Sequence, residues 1–144
     1  MLLGLIAVVG GARAESPPSS IGASFVGRSG FELRVLLDQS NLGSDEVELA
    51  ELLFPAGTDS GDHAHGVVEI FYVLSGELEH VVNGNSTLLK PGMVGFVRPP
   101  DQVRHRTTAE TRVLVIWVPG GEAARIIPHL QRRETGAADR KPAP

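Results

Sequence analysis

The sequence predicts an all-β fold, a closed or sandwiched antiparallel sheet, and three observations carry that reading. Short apolar stretches alternate with polar residues, as in Phe31-Glu32-Leu33-Arg34-Val35. Turns rich in glycine and proline separate them, with 17 glycines and 10 prolines in 144 residues. Between two such stretches stands Asn83-Gly84, a strong hairpin signal. Alternation sends successive side chains to opposite faces of a strand, so each strand has one face to bury. Many short strands with such turns between them close into a barrel or stack as a sandwich.

The elements follow in chain order. Leu2 to Val9 is apolar and leads to Gly10-Gly11 and Ala12-Arg13-Ala14, so residues 1–14 read as a signal peptide cleaved before Glu15. The apolar run is shorter than the roughly 20 residues that span a bilayer, and no stable membrane span is expected. No Lys or Arg precedes it. On this reading the protein is secreted or periplasmic; without a working signal it is cytoplasmic. Residues 15–30 form a linker and N-terminal arm that opens on Glu15-Ser16-Pro17-Pro18-Ser19-Ser20. All expected strands fall in residues 31–121: Phe31 to Leu37, Val47 to Phe54, the apolar run from Val67 to Leu74, Leu78 to Val82, Thr87 to Leu89, Val94 to Val97 and Arg112 to Val118. Asn41 to Asp45 reads as a turn. Pro119-Gly120-Gly121 ends the sheet, and residues 122–134 form a short C-terminal helical segment. Ala123, Ile126, Ile127 and Leu130 are its apolar side, and Pro128 weakens it in the middle. Residues 135–144 are small, polar and proline-ended, a disordered tail.

Composition narrows the function. One domain suits this length, and 42% hydrophobic residues supply one core. A formal charge of −4 gives no electrostatic footprint for nucleic acid. The chain has no cysteine, which removes disulfides, thiolate ligands and any cysteine nucleophile.

The chemistry concentrates in Gly57-x5-His63-x-His65-x3-Glu69-x6-Gly76. His63 and His65, two apart on an extended chain, face the same way roughly 6–7 Å apart. Glu69 joins them if residues 64–67 stay extended or turn compactly. Solvated turn histidines beside Asp62 are the bland alternative. Against it, Glu69 lies in the run Val67-Val68-Glu69-Ile70-Phe71-Tyr72-Val73-Leu74, where a carboxylate is costly to bury without a partner. Imidazoles and a carboxylate on one face suit a divalent transition metal. His105, in Pro99-Pro100-Asp101-Gln102-Val103-Arg104-His105, is the best source of a fourth ligand.

These residues resemble the motifs of the cupin superfamily, and more narrowly its small single-domain, conserved-barrel (cupin type 2) members. All five fixed positions of the first cupin motif are matched. In the second, Pro100 and His105 match, Gln102 and Ala109 replace a glycine and an asparagine, and Gly92 is displaced by two residues. The resemblance covers roughly residues 31–121. It implies a single cupin barrel, a double-stranded β-helix or jelly roll, and one divalent metal on His63, His65, Glu69 and His105. Zinc, copper, manganese, iron and nickel all suit such a site. A chain exported unfolded would collect its metal outside the cytoplasm, where zinc, copper or manganese is expected.

Two functions fit. One is a metal-dependent enzyme acting on a small molecule, dioxygenase-like or isomerase/lyase-like, in which the metal leaves positions open for water or substrate. The other is a non-enzymatic exported cupin that binds a small ligand or a metal. No acid or base beside the ligands is legible; Glu69 is a general-acid candidate only if it is not firmly coordinated. Arg98, Gln102 and Arg104 are candidates to hold an anionic substrate, with a solvated loop as the alternative. Phe71, Phe96 and Trp117 have the parity to face the barrel interior, and Tyr72 should face away from Glu69. His80, alone on its strand, reads as structural. A homodimer is expected, because the apolar residues of 31–37 and 47–54 exceed what one small barrel needs and edge strands seek partners.

Overall fold

Alternation within residues 48–54 decides which side of the sheet becomes core: Glu48, Ala50, Leu52 and Phe54 are buried while Leu49, Glu51 and Leu53 are only half-buried. The computed structural model describes residues 21–133. Its elements are β1 (Ser24–Val26), β2 (Glu32–Leu37), α1 (Gln39–Leu42), β3 (Glu48–Phe54), β4 (Val68–Ser75), β5 (Leu78–Val82), β6 (Asn85–Leu89), β7 (Val94–Val97), β8 (Val103–Arg106), β9 (Thr111–Val118), α2 (Ala123–Ile126), a 3-10 turn (Ile127–His129) and β10 (Gln131–Arg132). The expected signal peptide (1–14) and tail (135–144) lie outside the described residues.

Two antiparallel sheets result, a larger one ordered β10-β1-β2-β3-β9-β4-β7 and a smaller one ordered β6-β5-β8. Leu33, Val35, Phe71, Val113 and Val115 from the larger sheet share one buried cluster with Leu78 and Leu89 from the smaller. This is a cupin-like β-barrel with a short helical segment at its C-terminal end. The hairpin signal holds: Asn83 and Gly84 both take positive φ, 50° and 81°, in the turn between β5 and β6.

The chain between β3 and β4 extends the small sheet without forming a regular strand. Gly57 N–H donates to Thr107 O at 3.0 Å and Thr107 N–H to Thr58 O at 3.0 Å. Farther on, His63 and Val103 exchange both backbone bonds, at 2.9 and 2.7 Å. These bonds carry the first histidine of the motif to the side of β8, where His105 lies.

Several sequence expectations need correction. The N-terminal arm is not all linker, because residues 24–26 form β1; three residues are too few to show alternation. Part of the expected turn at 41–45 belongs to α1, whose N-cap Asp38 accepts from Ser40 N–H at 2.7 Å while Gly43 closes it in the left-handed conformation. The short C-terminal helical segment is present as α2 and the 3-10 turn that holds Pro128, and what was not expected is β10 after it, paired with β1. Phe71 and Trp117 face the interior at 1% and 0% exposure, but Phe96 does not, at 55%. On β7 it is Gly95 and Val97 that point inward, and a Cβ on Gly95 would stand 2.5 Å from Leu89 Cδ1 and 3.0 Å from His80 Cδ2. Tyr72 faces outward, as its parity requires.

Candidate metal centre

Each side chain of the His-Glu motif is placed by a different local device. Glu69 lies on β4 opposite Trp117 of β9, and the buried indole Nε1–H donates to Glu69 Oε1 at 2.7 Å. That bond fixes one carboxylate oxygen and leaves Oε2 to face His65 Nε2 at 2.9 Å. The contact is close but off hydrogen-bond alignment, so His65 Nε2 and Glu69 Oε2 are both buried without a hydrogen-bond partner. His63 Nδ1 sits 3.0 Å from Gly61 O, which leaves its Nε2 uncommitted. Strand parity is not what brings the two imidazoles together. Only His63 forms a bridge to β8, and residues 64–67 turn compactly, leaving the ring centroids 5.0 Å apart.

His105, on β8, reaches the same place from the opposite sheet. Its ring lies 5.7 Å from His63 and 4.6 Å from Phe71, centroid to centroid. Its backbone is held by the preceding loop, with His105 N–H donating to Ser60 Oγ at 2.9 Å. Its Nε2, however, is 3.1 Å from His80 Nδ1, and the two rings stack at an interplanar angle of 18°. His80, the structural residue of the sequence reading, is therefore a buried partner of the candidate ligand. Its own Nε2 is 3.2 Å from Phe96 O.

The structure brings all four candidates to one cavity of about 340 Å³, lined by His63, His65, Glu69 and His105 together with Trp117. In this side-chain arrangement no three acidic or histidine groups among the described residues stand at metal-ligand spacing. The donor set still fits a divalent ion: three imidazoles and a carboxylate share a half-dry wall, and two of the donor atoms lack any hydrogen bond. A buried lone pair without a partner is costly, and a cation satisfies it.

Electrostatics follow burial. His105 is held well below the ordinary histidine value by burial, reinforced by the neighbouring His80, His63 and His65. Burial likewise lowers His80. His65 differs: burial pulls it down, but the Glu69 and then the Glu122 carboxylates outweigh that and raise it.

Glu122 is the residue that the motif did not announce. It stands at the start of α2, 57 positions from His65 in sequence, yet its Oε1 lies 3.2 Å from His65 Nδ1. Both side chains are largely buried, at 8% and 9% exposure. The segment is anchored by Glu48, whose Oε2 accepts from Gly121 N–H at 3.1 Å and Ala123 N–H at 2.9 Å. A buried acid just after the Pro119-Gly120-Gly121 break was the one available signal, and nothing in its spacing pointed to His65.

Arg98, Gln102 and Arg104 do not line the cavity. Arg104 Nε donates to Asp59 Oδ1 at 2.7 Å, and that guanidinium holds Asp59 down to about 2. Gln102, in place of the motif glycine, gives its N–H to Asn83 Oδ1 at 2.9 Å. The β5–β6 hairpin thus supports the turn.

Fold and motif together define a class. A cupin domain model matches residues 50–119, and this part of the chain is a cupin domain. Solved structures of similar fold include an RmlC-like cupin from Shewanella frigidimarina (20% identity, 78% of this chain and 96% of that one, TM-score 0.62). A predicted oxalate decarboxylase from Thermotoga maritima shares 23% identity over 69% of this chain and 93% of its own, with a TM-score of 0.60. KdgF from a Halomonas species shares 16% over 66% and 84%, with a TM-score of 0.59. These likenesses show the fold. No curated protein matches the chain.

Proposed function

We propose that this cupin is a metal-dependent enzyme acting on a small molecule inside the barrel, with the ion held by His63, His65, Glu69 and His105. The observation that carries the reading is the buried pair His65 Nε2 and Glu69 Oε2, 2.9 Å apart and with no other partner, in a cavity that His63 and His105 also line. A divalent ion there supplies Lewis-acid polarisation or orients a bound substrate. The chain's own residues do the rest. Trp117 fixes Glu69 through Oε1, and a bound ion would take Oε2, so Glu69 would serve as a ligand and not as a free general acid. With an ion bound, Glu122 would accept from His65 Nδ1–H and so leave the Nε2 lone pair for the metal, the role outer carboxylates play for ligating histidines. Burial keeps the ring of His105 neutral, with a lone pair to give. The test is metal analysis of anaerobically purified protein, followed by oxygen uptake and product analysis with a panel of enediols, flavonols and sugar acids. Stoichiometric metal and turnover of one class are expected; turnover unchanged after removal of bound metal would refute the reading.

One observation favours a second reading. His105 Nε2 is turned to His80 Nδ1, which suits a cupin that binds a small ligand without catalysis. His80→Phe distinguishes the two. In a metal enzyme, freeing His105 from His80 tightens or preserves metal binding; in a metal-free binder the same change leaves the protein without stoichiometric metal, as before.

Glu122 supplies a graded expectation. Glu122→Ala should weaken zinc or manganese binding about 10–100-fold, the usual effect of losing an outer-shell partner. Glu122→Gln, which still offers an oxygen to Nδ1–H, should recover most of it. Equal affinities for wild type and Glu122→Ala in a competition titration would remove Glu122 from the account.

A homodimer is part of the proposal. Strands β2 and β3 have both edges paired within the chain, so the contact expected of them shifts elsewhere. β7 is a sheet edge, and on the outer face Tyr72 pairs with Val94 and Ile70 with Phe96. Val94 and Phe96 are more than half exposed. Phe96→Glu should convert a dimer into a monomer by light scattering. Wild type running as a monomer at micromolar concentration would contradict the dimer. Among the described residues no helix is long and apolar enough to cross a membrane.

A further inference from the structure

The wall of the cavity restricts what can enter it. Beyond the histidine and carboxylate cluster its apolar side chains are Phe31, Leu52, Phe54, Phe71, Ile126 and Leu130 beside Trp117. Against them stand the polar Ser29, Thr58, Asp59 and Ser60. No Lys or Arg among the described residues lines it. The three arginines tied to acids of this region are committed: Arg104 and Arg106 to Asp59, with Arg106 also bonded to Glu79, and Arg125 to Glu122 at 3.4 Å. Two of the wall's hydroxyls are committed too. Thr58 Oγ1 donates to Pro55 O at 2.8 Å, and Ser60 Oγ donates to Gly61 O at 3.0 Å while accepting from His105 N–H. Of the wall's two carboxylates, Asp59 is neutralised by Arg104, and Glu69 is negative. A ligand carboxylate would find at most the metal for a partner, with the Glu69 anion close by and an apolar surface around the rest of it. Charge buried in such surroundings without a fixed cation is strongly disfavoured.

We propose that the cavity takes a small, uncharged and largely apolar ligand that presents a hydroxyl or carbonyl oxygen to the histidine–carboxylate end, a phenol or ketone type of molecule, and that it discriminates against carboxylates. The inference rests on reading this cavity as the substrate site. It departs from what the name of one structural relative suggests, since oxalate is a carboxylate. The cavity volume, near the lower limit of ordinary ligand pockets, holds one compact ring or short chain. Ile126 and Leu130 come from the C-terminal segment, so the same stretch that brings Glu122 to His65 also supplies part of the apolar wall.

A matched pair of probes tests the class. Zinc-loaded protein is titrated in a calorimeter with 4-ethylphenol, 4-ethylbenzoate and galacturonate. The neutral phenol should bind at least about ten-fold more tightly than either anion, about 1.4 kcal/mol per ten-fold. Leu130→Arg, a half-buried position on the wall, should narrow or reverse that ratio, and Ile126→Arg serves if the first variant does not fold. Anions binding as tightly as the phenol would overturn the proposal. So would no detectable phenol binding, or a ratio that both arginine variants leave unchanged. The metal-free protein separates this from the metal reading. A phenol preference that persists without metal supports the ligand class while counting against metal-dependent chemistry. Metal-loaded protein that prefers galacturonate overturns the class and leaves the metal centre standing.

Discussion

Protein carrying both His63→Ala and His65→Ala will fold and will hold no stoichiometric divalent metal. The two imidazoles are half of the donor set, and they are the half whose Nε2 atoms are free of hydrogen bonds. With both gone, the cavity offers one carboxylate oxygen and a His105 ring already paired to His80. The loss should therefore exceed the roughly 10–100-fold that removal of an outer-shell partner causes. The fold survives because neither histidine belongs to the buried apolar cluster, and Glu69 keeps its bond from Trp117. Metal analysis after loading and dialysis, alongside circular dichroism, reads both halves of the expectation. Undiminished occupancy in a folded double variant would place the metal elsewhere.

Gly76→Ala should produce the largest loss of stability of any single methyl added to the barrel. Gly76 closes the first motif in the turn between β4 and β5 with φ at 75°, where an L side chain is strained. A Cβ there would also stand 2.5 Å from Thr111 Oγ1 and 2.8 Å from Thr111 Cα, and would meet the Glu110 carbonyl. Thr111 cannot yield. It is fully buried, and its hydroxyl accepts from Glu77 N–H at 3.2 Å and lies 3.0 Å from Glu77 O. Backbone strain of about 1–3 kcal/mol and overpacking of similar size give a loss of about 2–6 kcal/mol. Set against a total of about 5–15 kcal/mol, that is enough to unfold a marginal barrel. Urea denaturation should show the midpoint falling steeply. A change below about 1 kcal/mol would mean that the turn relaxes freely and is not fixed by Thr111.

What could be read from the sequence was what repeats locally. Alternation in residues 31–37 and 47–54 and the Asn83-Gly84 turn each involve a few consecutive residues and led to the right element, and the spacing from Gly57 to Gly76 led to side chains that line one cavity. Features that depend on tertiary placement were not legible. β10 is two residues long and exists because it pairs with β1. On β7 the four residues Val-Gly-Phe-Val fit either parity. In the fold Gly95 takes the inward position against Leu89 and His80, and Phe96 faces outward. Arg104 looked like an anion hook in the linear sequence, but Asp59, 45 residues earlier, already holds it.

The candidate centre divides the same way. His63, His65, Glu69 and His105 were legible because residue types at fixed spacing imply donor chemistry. Trp117 was placed correctly as an interior residue, yet its bond to Glu69 follows from the register of β4 against β9. Glu122 and His80 were invisible as partners because each meets its histidine only after the sheets have closed. Both partners bear on which nitrogen a ligand presents, so the finer chemistry of the site depends on the fold more than the motif does.

Metal content of the wild-type protein tests the central claim most directly. Protein purified anaerobically, incubated in turn with zinc, manganese and copper, and dialysed against metal-free buffer should retain about one divalent ion per chain for at least one of them, as a site of three imidazoles and one carboxylate requires. Retention of none of the three would contradict the account and leave a metal-free binding barrel in its place.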